Sequence, residues 1–167
     1  MLPNGPQNPG KGSADPSEWG PVLWKIVHTI CENLGKHNKK ITQNDELLYF
    51  YSFQRKLANI LPCNACKSHY ITYMKNIREV SYNELKDYGK QYYYNLHKEI
   101  NDEKKIVSPE FDELVSIYGT VSYKDMNNLV KTLNNLYLKY FTFKYAKIDE
   151  YKEFQRALSM LRHIINI

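Results

Sequence analysis

Residues 19–34 read WGPVLWKIVHTICENL. Large apolar side chains recur at three- and four-residue steps, at Trp19, Leu23, Ile26, Val27, Ile30 and Leu34. Residues so spaced share one face of an α-helix, because 3.6 residues complete a turn. Pro21 suits a first turn, where the N–H it lacks would have no partner. That places the helix start near Ser17 to Gly20.

The same period continues downstream. A second helix fits Asn44 to Ile60, with Leu47, Leu48, Phe50, Tyr51, Leu57 and Ile60 as its apolar side, and Pro62 stops it. A third starts at about Cys63 and carries Cys66, Tyr70, Tyr73, Met74 and Ile77 along one side. Ser81 and Glu84 have capping-box spacing for a fourth helix that aligns Leu85, Tyr88, Tyr92, Leu96 and Ile100. Ser108–Pro109 predicts a cap and first turn for a short helix with Phe111, Leu114, Val115 and Tyr118, ended by Gly119. Ser122 with Asp125 opens a sixth, and a seventh runs from about Ile148. Strand-like alternation is scarce. The expected fold class is all-α: a four-helix bundle with a short fifth helix and two additional C-terminal helices.

Composition bounds the partners. The 167 residues carry 43% hydrophobic residues and 15 tyrosines, enough to fill a core in which many rings keep one polar end. The net charge of +5 comes from scattered lysines with no dense basic block, which argues against nucleic acid. No apolar run approaches the roughly 20 residues of a membrane span, and no secretory or transit-peptide pattern is visible. Residues 1–16, MLPNGPQNPGKGSADP, are rich in Gly, Pro and Asn and are expected to form a flexible tail. Residues 120–167 lack chemical residues and are expected to form an extension for packing or interaction.

Residues 61–70, LPCNACKSHY, hold two of the three cysteines, Cys63 and Cys66, at the expected start of the third helix. Unpaired N–H groups and the positive end of the helix dipole stabilise a thiolate there. The two-residue gap brings the sulfurs within disulfide reach across one turn, and Lys67 and His69 add donors nearby. A structural zinc needs four ligands; Cys63, Cys66, His69 and His97 can be assembled, but their spacing matches no zinc module, so no metal is expected. A thioredoxin-type site needs a βαβ scaffold. A dithiol passing two electrons to oxygen needs a cofactor, and flavin is the natural candidate. Cys31 lies close to an apolar face and reads as a buried free thiol, with an intermolecular bridge as the alternative. Taken alone, Trp19 and Trp24 read as core anchors, and Tyr92–Tyr94 as packing.

Three stretches together resemble the Erv/ALR family of FAD-linked sulfhydryl oxidases: WGPVLWKIVH (19–28), LPCNACKSH (61–69) and HKEIN (97–101). The resemblance covers about residues 17–118 and implies an FAD-binding oxidase domain at 17–119. It implies that Cys66 lies against the flavin, that Cys63 is attacked by the incoming thiol, and that both are catalytic. It implies cofactor contacts from Gly20, Trp24, His28, His69, His97 and Asn101, with Lys98 in place of the family's usual asparagine and Lys104 or Lys105 near the phosphates. The implied reaction oxidises protein thiols to disulfides and reduces O2 to H2O2. The family's shuttle cysteine pair is absent, so a separate thioredoxin-like or CxxC protein is the expected electron donor. A homodimer is also implied. The Asn, Lys, Ile and Tyr bias suggests an A/T-rich genome and favours a large DNA virus, with action in host cytoplasm or virion; a mitochondrial intermembrane-space protein is the cellular alternative. The competing reading is a non-catalytic helical binding module of the same fold, or a zinc-stabilised adaptor.

Overall fold

The computed structural model describes residues 12–167. The chain is all-α: α1 (Pro16–Asn33), α2 (Lys40–Ile60), α3 (Asn64–Tyr73), α4 (Leu85–Glu103), α5 (Leu114–Tyr118), α6 (Tyr123–Thr142) and α7 (Ile148–Ile165). Among the described residues, no helix is long and apolar enough to cross a membrane.

Local chemistry sets most boundaries. Asp15 caps α1 by accepting from the Ser17 N–H at 2.9 Å, and Pro16 takes the first turn. Pro21 therefore falls in the second turn rather than the first. Ser81 and Glu84 form the expected capping box, and a single 3₁₀ turn leads from it into α4. Ser122 accepts from the Asp125 N–H and opens α6. The cap before α5 is not Ser108. Glu110 and Glu113 form a capping box there, while Ser108 Oγ accepts from Asn101 Nδ2 at 2.9 Å. The second helix begins at Lys40 rather than Asn44, without a side-chain cap.

Helices α1, α2 and α4 meet around Gly89. A Cβ at that position would stand 2.8 Å from the Leu34 Cδ1 and 3.1 Å from the Phe50 ring, so a larger residue would have to push both buried side chains aside. Ile26, Ile30, Leu34, Phe50, Phe53, Leu85 and Tyr93 fill this core and are fully buried. The C-terminal helices add to the same core. Helix α7 runs along α2 and α6 along α1. Phe154 packs on Phe53 with ring centroids 5.7 Å apart, and Met126, Leu133 and Leu161 are buried with them. Tyrosine hydroxyls pin the layers. Tyr137 donates to the Ile60 carbonyl at 2.6 Å, satisfying a carbonyl left over at the end of α2. Tyr70 donates to the Gln54 carbonyl at 2.8 Å.

Of the segment read as a tail, residues 1–11 lie outside the described residues. Residues 13–16 are held. Ala14 is buried and donates to the Pro62 carbonyl at 2.6 Å, and the Asn64 N–H donates to Ser13 Oγ at 3.1 Å.

Candidate functional site

Helices α1, α3, α4 and α5 enclose a cavity of about 920 Å³. That is near the top of the roughly 300–1,000 Å³ typical of small-molecule sites. On α1, Gly20, Trp24 and His28 are spaced by four and share a face. On α4 and at its C-cap, His97, Asn101 and Lys104 follow three- and four-residue steps. At the start of α3, Cys63 and Cys66 form a disulfide, with Cα atoms 5.2 Å apart. Cys63 is the N-cap of α3, and its Sγ accepts from the Cys66 N–H at 3.3 Å. The two sulfurs differ in outlook. Cys66 lines the cavity, whereas Cys63 does not and is buried.

Gly20, Trp24, Cys66, His69, His97, Asn101 and Lys104 line one cavity. His28 lies behind the wall. Its Nε2 pairs with His97 Nδ1 at 2.9 Å, and its ring stacks on Tyr118 at 4.8 Å. Lys98 lies outside the cavity lining and pairs with Asp102 one turn along, at 3.0 Å. Next to His97 on a helix, it is rotated by about 100° away from the lining face. Lys105 is also outside the lining, in a left-handed turn with φ 58°. Lys67 turns from the sulfurs to the Asn59 carbonyl at 3.2 Å, while His69 pairs with Glu99 at 3.0 Å.

Two further wall residues belong to the apolar stripes of their helices. Tyr118 lines the cavity from α5. Trp19 lines it from α1, is 5% exposed, and its indole N–H has no partner among the described residues. Apolar periodicity assigns both to a core; only the neighbouring Gly20 hints otherwise. A glycine inside a helix costs about 1 kcal/mol relative to alanine. At Gly20 an added Cβ would meet nothing within 4 Å, so it would project into open cavity.

These features fit FAD. The volume suits a dinucleotide, and Trp24 lies parallel to His97 at 4.0 Å, forming an aromatic wall for a planar ring. Trp19 offers an unused buried donor, and Lys104 a cation for phosphate. The disulfide presents one sulfur to the same space.

Burial, and next the neighbouring His97, push the His28 pKa down to about 3. Burial, and next Lys104, push His97 down to about 4. Both rings are neutral in the folded chain, whereas an unfolded-state histidine protonates near pH 6.5. Below that pH the unfolded state binds more protons, so stability falls as acid is added. The contribution is whole above about pH 6.5 and is lost as the pH falls toward the folded values. Each histidine contributes a slope of up to about 1.4 kcal/mol per pH unit. The melting temperature is expected to be flat from pH 8 to 6.5 and to fall between pH 6.5 and 5. A flat profile through pH 5 would contradict the burial of this pair.

The Erv1/Alr family model matches residues 21–117. A curated relative from Invertebrate iridescent virus 6, which carries the provisional name FAD-linked sulfhydryl oxidase 347L, is 26% identical over 92 residues. That alignment spans 52% of this chain and 79% of the relative. No solved structure matches the chain significantly. The matched residues 21–117 carry the disulfide and most of the cavity wall, and the chain belongs to the Erv1/Alr family.

Proposed function

We propose that the chain is an FAD-linked sulfhydryl oxidase acting on protein thiols. The observation that carries this reading is that Cys66, one half of a disulfide, lines the cavity shared by Gly20, Trp24 and His97. A substrate thiolate attacks Cys63 Sγ, the Cys63–Cys66 bond breaks, and Cys66 leaves as a thiolate. A second substrate thiol then attacks the substrate sulfur of the mixed disulfide. The substrate disulfide departs, and two electrons remain on the Cys63/Cys66 pair. The Cys66 N–H and the α3 N-terminus stabilise the thiolate released at Cys63. FAD, when bound, would supply a two-electron acceptor for this dithiol, with O2 as the final oxidant and H2O2 as the product. The stacked Trp24–His97 pair would flank it, neutral His28 holds the His97 ring, and Lys104 would offset phosphate charge.

The thiols come from another protein. The chain has three cysteines, two in the disulfide and Cys31 buried. A thioredoxin-like or CxxC carrier is the partner this favours. The viral relative favours a viral setting, in host cytoplasm or virion. The zinc-adaptor reading is weakened because Cys63 and Cys66 are bonded to each other.

Gly20→Leu tests the cofactor assignment. Leucine improves helix propensity by up to about 1 kcal/mol but fills the cavity. The expected result is a melting temperature of the cofactor-free protein equal to wild type or higher, with flavin absorbance lost from the purified protein. Full flavin occupancy in Gly20→Leu, or a wild-type protein that is colourless from a flavin-replete host, would overturn the reading.

A further inference from the structure

Cys63 is 8% exposed, although the proposed exchange begins there. One side of the disulfide faces the cavity, which bound cofactor would close. Residues 12–14, which do not line that cavity, run beside residues 62–64. Ala14 N–H donates to the carbonyl of Pro62, the residue before Cys63. Ser13 Oγ accepts from the N–H of Asn64, the residue after it. These two bonds bracket Cys63. Gly12 lies against Asn64 as well: a Cβ there would stand 3.6 Å from its side-chain amide. Its φ of 102° is one that residues with side chains rarely adopt, so this turn onto the disulfide depends on glycine.

We infer that residues 12–14 are a strap lying in the docking track of the protein substrate, and that the substrate segment bearing the attacking cysteine displaces it. The Pro62 carbonyl and Asn64 N–H are then backbone partners for an extended peptide, as in strand-addition recognition. They hold the incoming sulfur beside Cys63. The step that follows forms the bond from substrate sulfur to Cys63 Sγ and breaks Cys63–Cys66, with the electron pair leaving on Cys66. The strap is cheap to move. Among the described residues it rests on two hydrogen bonds and one buried methyl group, whereas Asp15 and Pro16 behind it are fixed by the start of α1. Such a cover shields the disulfide from stray small thiols and yields to a chain that can replace its bonds.

The inference rests on the exchange role proposed for Cys63, and its test does not need flavin turnover. The full-length chain would be compared with Gly12→Val, Ala14→Pro and Ser13→Ala. Gly12→Val strains the turn, Ala14→Pro deletes the N–H that reaches Pro62, and Ser13→Ala deletes only the acceptor for Asn64. Under anaerobic conditions, reduction of Cys63–Cys66 by dithiothreitol, and separately by reduced, unfolded ribonuclease A, is quenched by alkylation and read by mass. The expected result is a rate about three- to tenfold above wild type with both reductants for Gly12→Val and Ala14→Pro. Ser13→Ala should give a smaller rise, and helical circular dichroism should be unchanged in all three. Unchanged rates in the variants that fold would show that the strap does not cover Cys63. A lower rate with the protein reductant would show that the strap is part of the docking surface instead, and would equally overturn the proposal. Flavin absorbance and oxygen uptake, recorded on the same samples, report separately on the oxidase reading.

Discussion

Cys66→Ala is expected to lower thiol oxidation by about a thousandfold or more while flavin remains bound. The variant keeps Cys63 only as a free thiol, which has no disulfide bond for a substrate thiolate to attack. It has no second sulfur to close the internal pair, and the sulfur it has lost is the one facing the cavity. Two-electron transfer from the chain therefore has no route. Cofactor retention follows from how little of the wall is removed. Trp19, Gly20, Trp24, His97, Asn101 and Lys104 remain in place. The measurement pairs oxygen uptake with a protein dithiol against the visible spectrum of the same sample. Turnover within tenfold of wild type would sink the assignment of the pair. Loss of flavin together with turnover would mean that Cys66 builds the cavity rather than serves it.

The second large effect lies far from the sulfurs. Phe154→Ala on α7 is expected to destabilise the whole chain by about 3–5 kcal/mol. For a chain of this length that lowers the melting temperature by roughly 6–20 °C. Phe154 is fully buried, packs on Phe53 of α2, and neighbours Tyr151 at 6.1 Å. The cavity left between α2 and α7 cannot collapse without moving a helix. Leu138→Ala is the control: Leu138 is 64% exposed on α6, and its loss should stay within about 0.5 kcal/mol. Differential scanning calorimetry decides the matter. A single transition shifted as a unit is the expected outcome. Two transitions, with only the lower one shifted, would show that α6 and α7 fold independently of the bundle.

Much of this architecture was legible from side chains that act locally. Ser122 with Asp125 marks a helix start because the hydroxyl accepts from the Asp125 N–H, and Ser81 with Glu84 marks another because the Glu84 carboxylate reaches back to the Ser81 N–H. Apolar periodicity does the rest for α1, α4, α6 and α7. Legibility failed where a distant partner intervened. Ser108 looked like a cap, but Asn101 on α4 claims its oxygen, and the unusual Glu110–Glu113 pair caps the turn instead. Residues 13–16 lack bulk, and what holds them is the backbone beside the disulfide, which no local pattern encodes. The site divides in the same way. Trp24, Cys66 and His97 come together as their motifs imply, whereas Trp19 and Tyr118 look like any core aromatic until the cavity beside them is seen. Lys98, which stands where the family has asparagine, lies outside the lining and pairs with Asp102.

Three cysteines admit three possible single pairings within the chain. Cys31 is 1% exposed, and burial pushes its thiol well above the usual cysteine range, so it is a poor nucleophile in the folded state. The two pairings that would use it are closed for as long as α1 stays packed, and the pair in LPCNAC is the one left open. A protein whose trade is exchanging sulfur partners thus keeps its own third sulfur out of the exchange by packing alone. The fidelity of its disulfide chemistry becomes a property of its core.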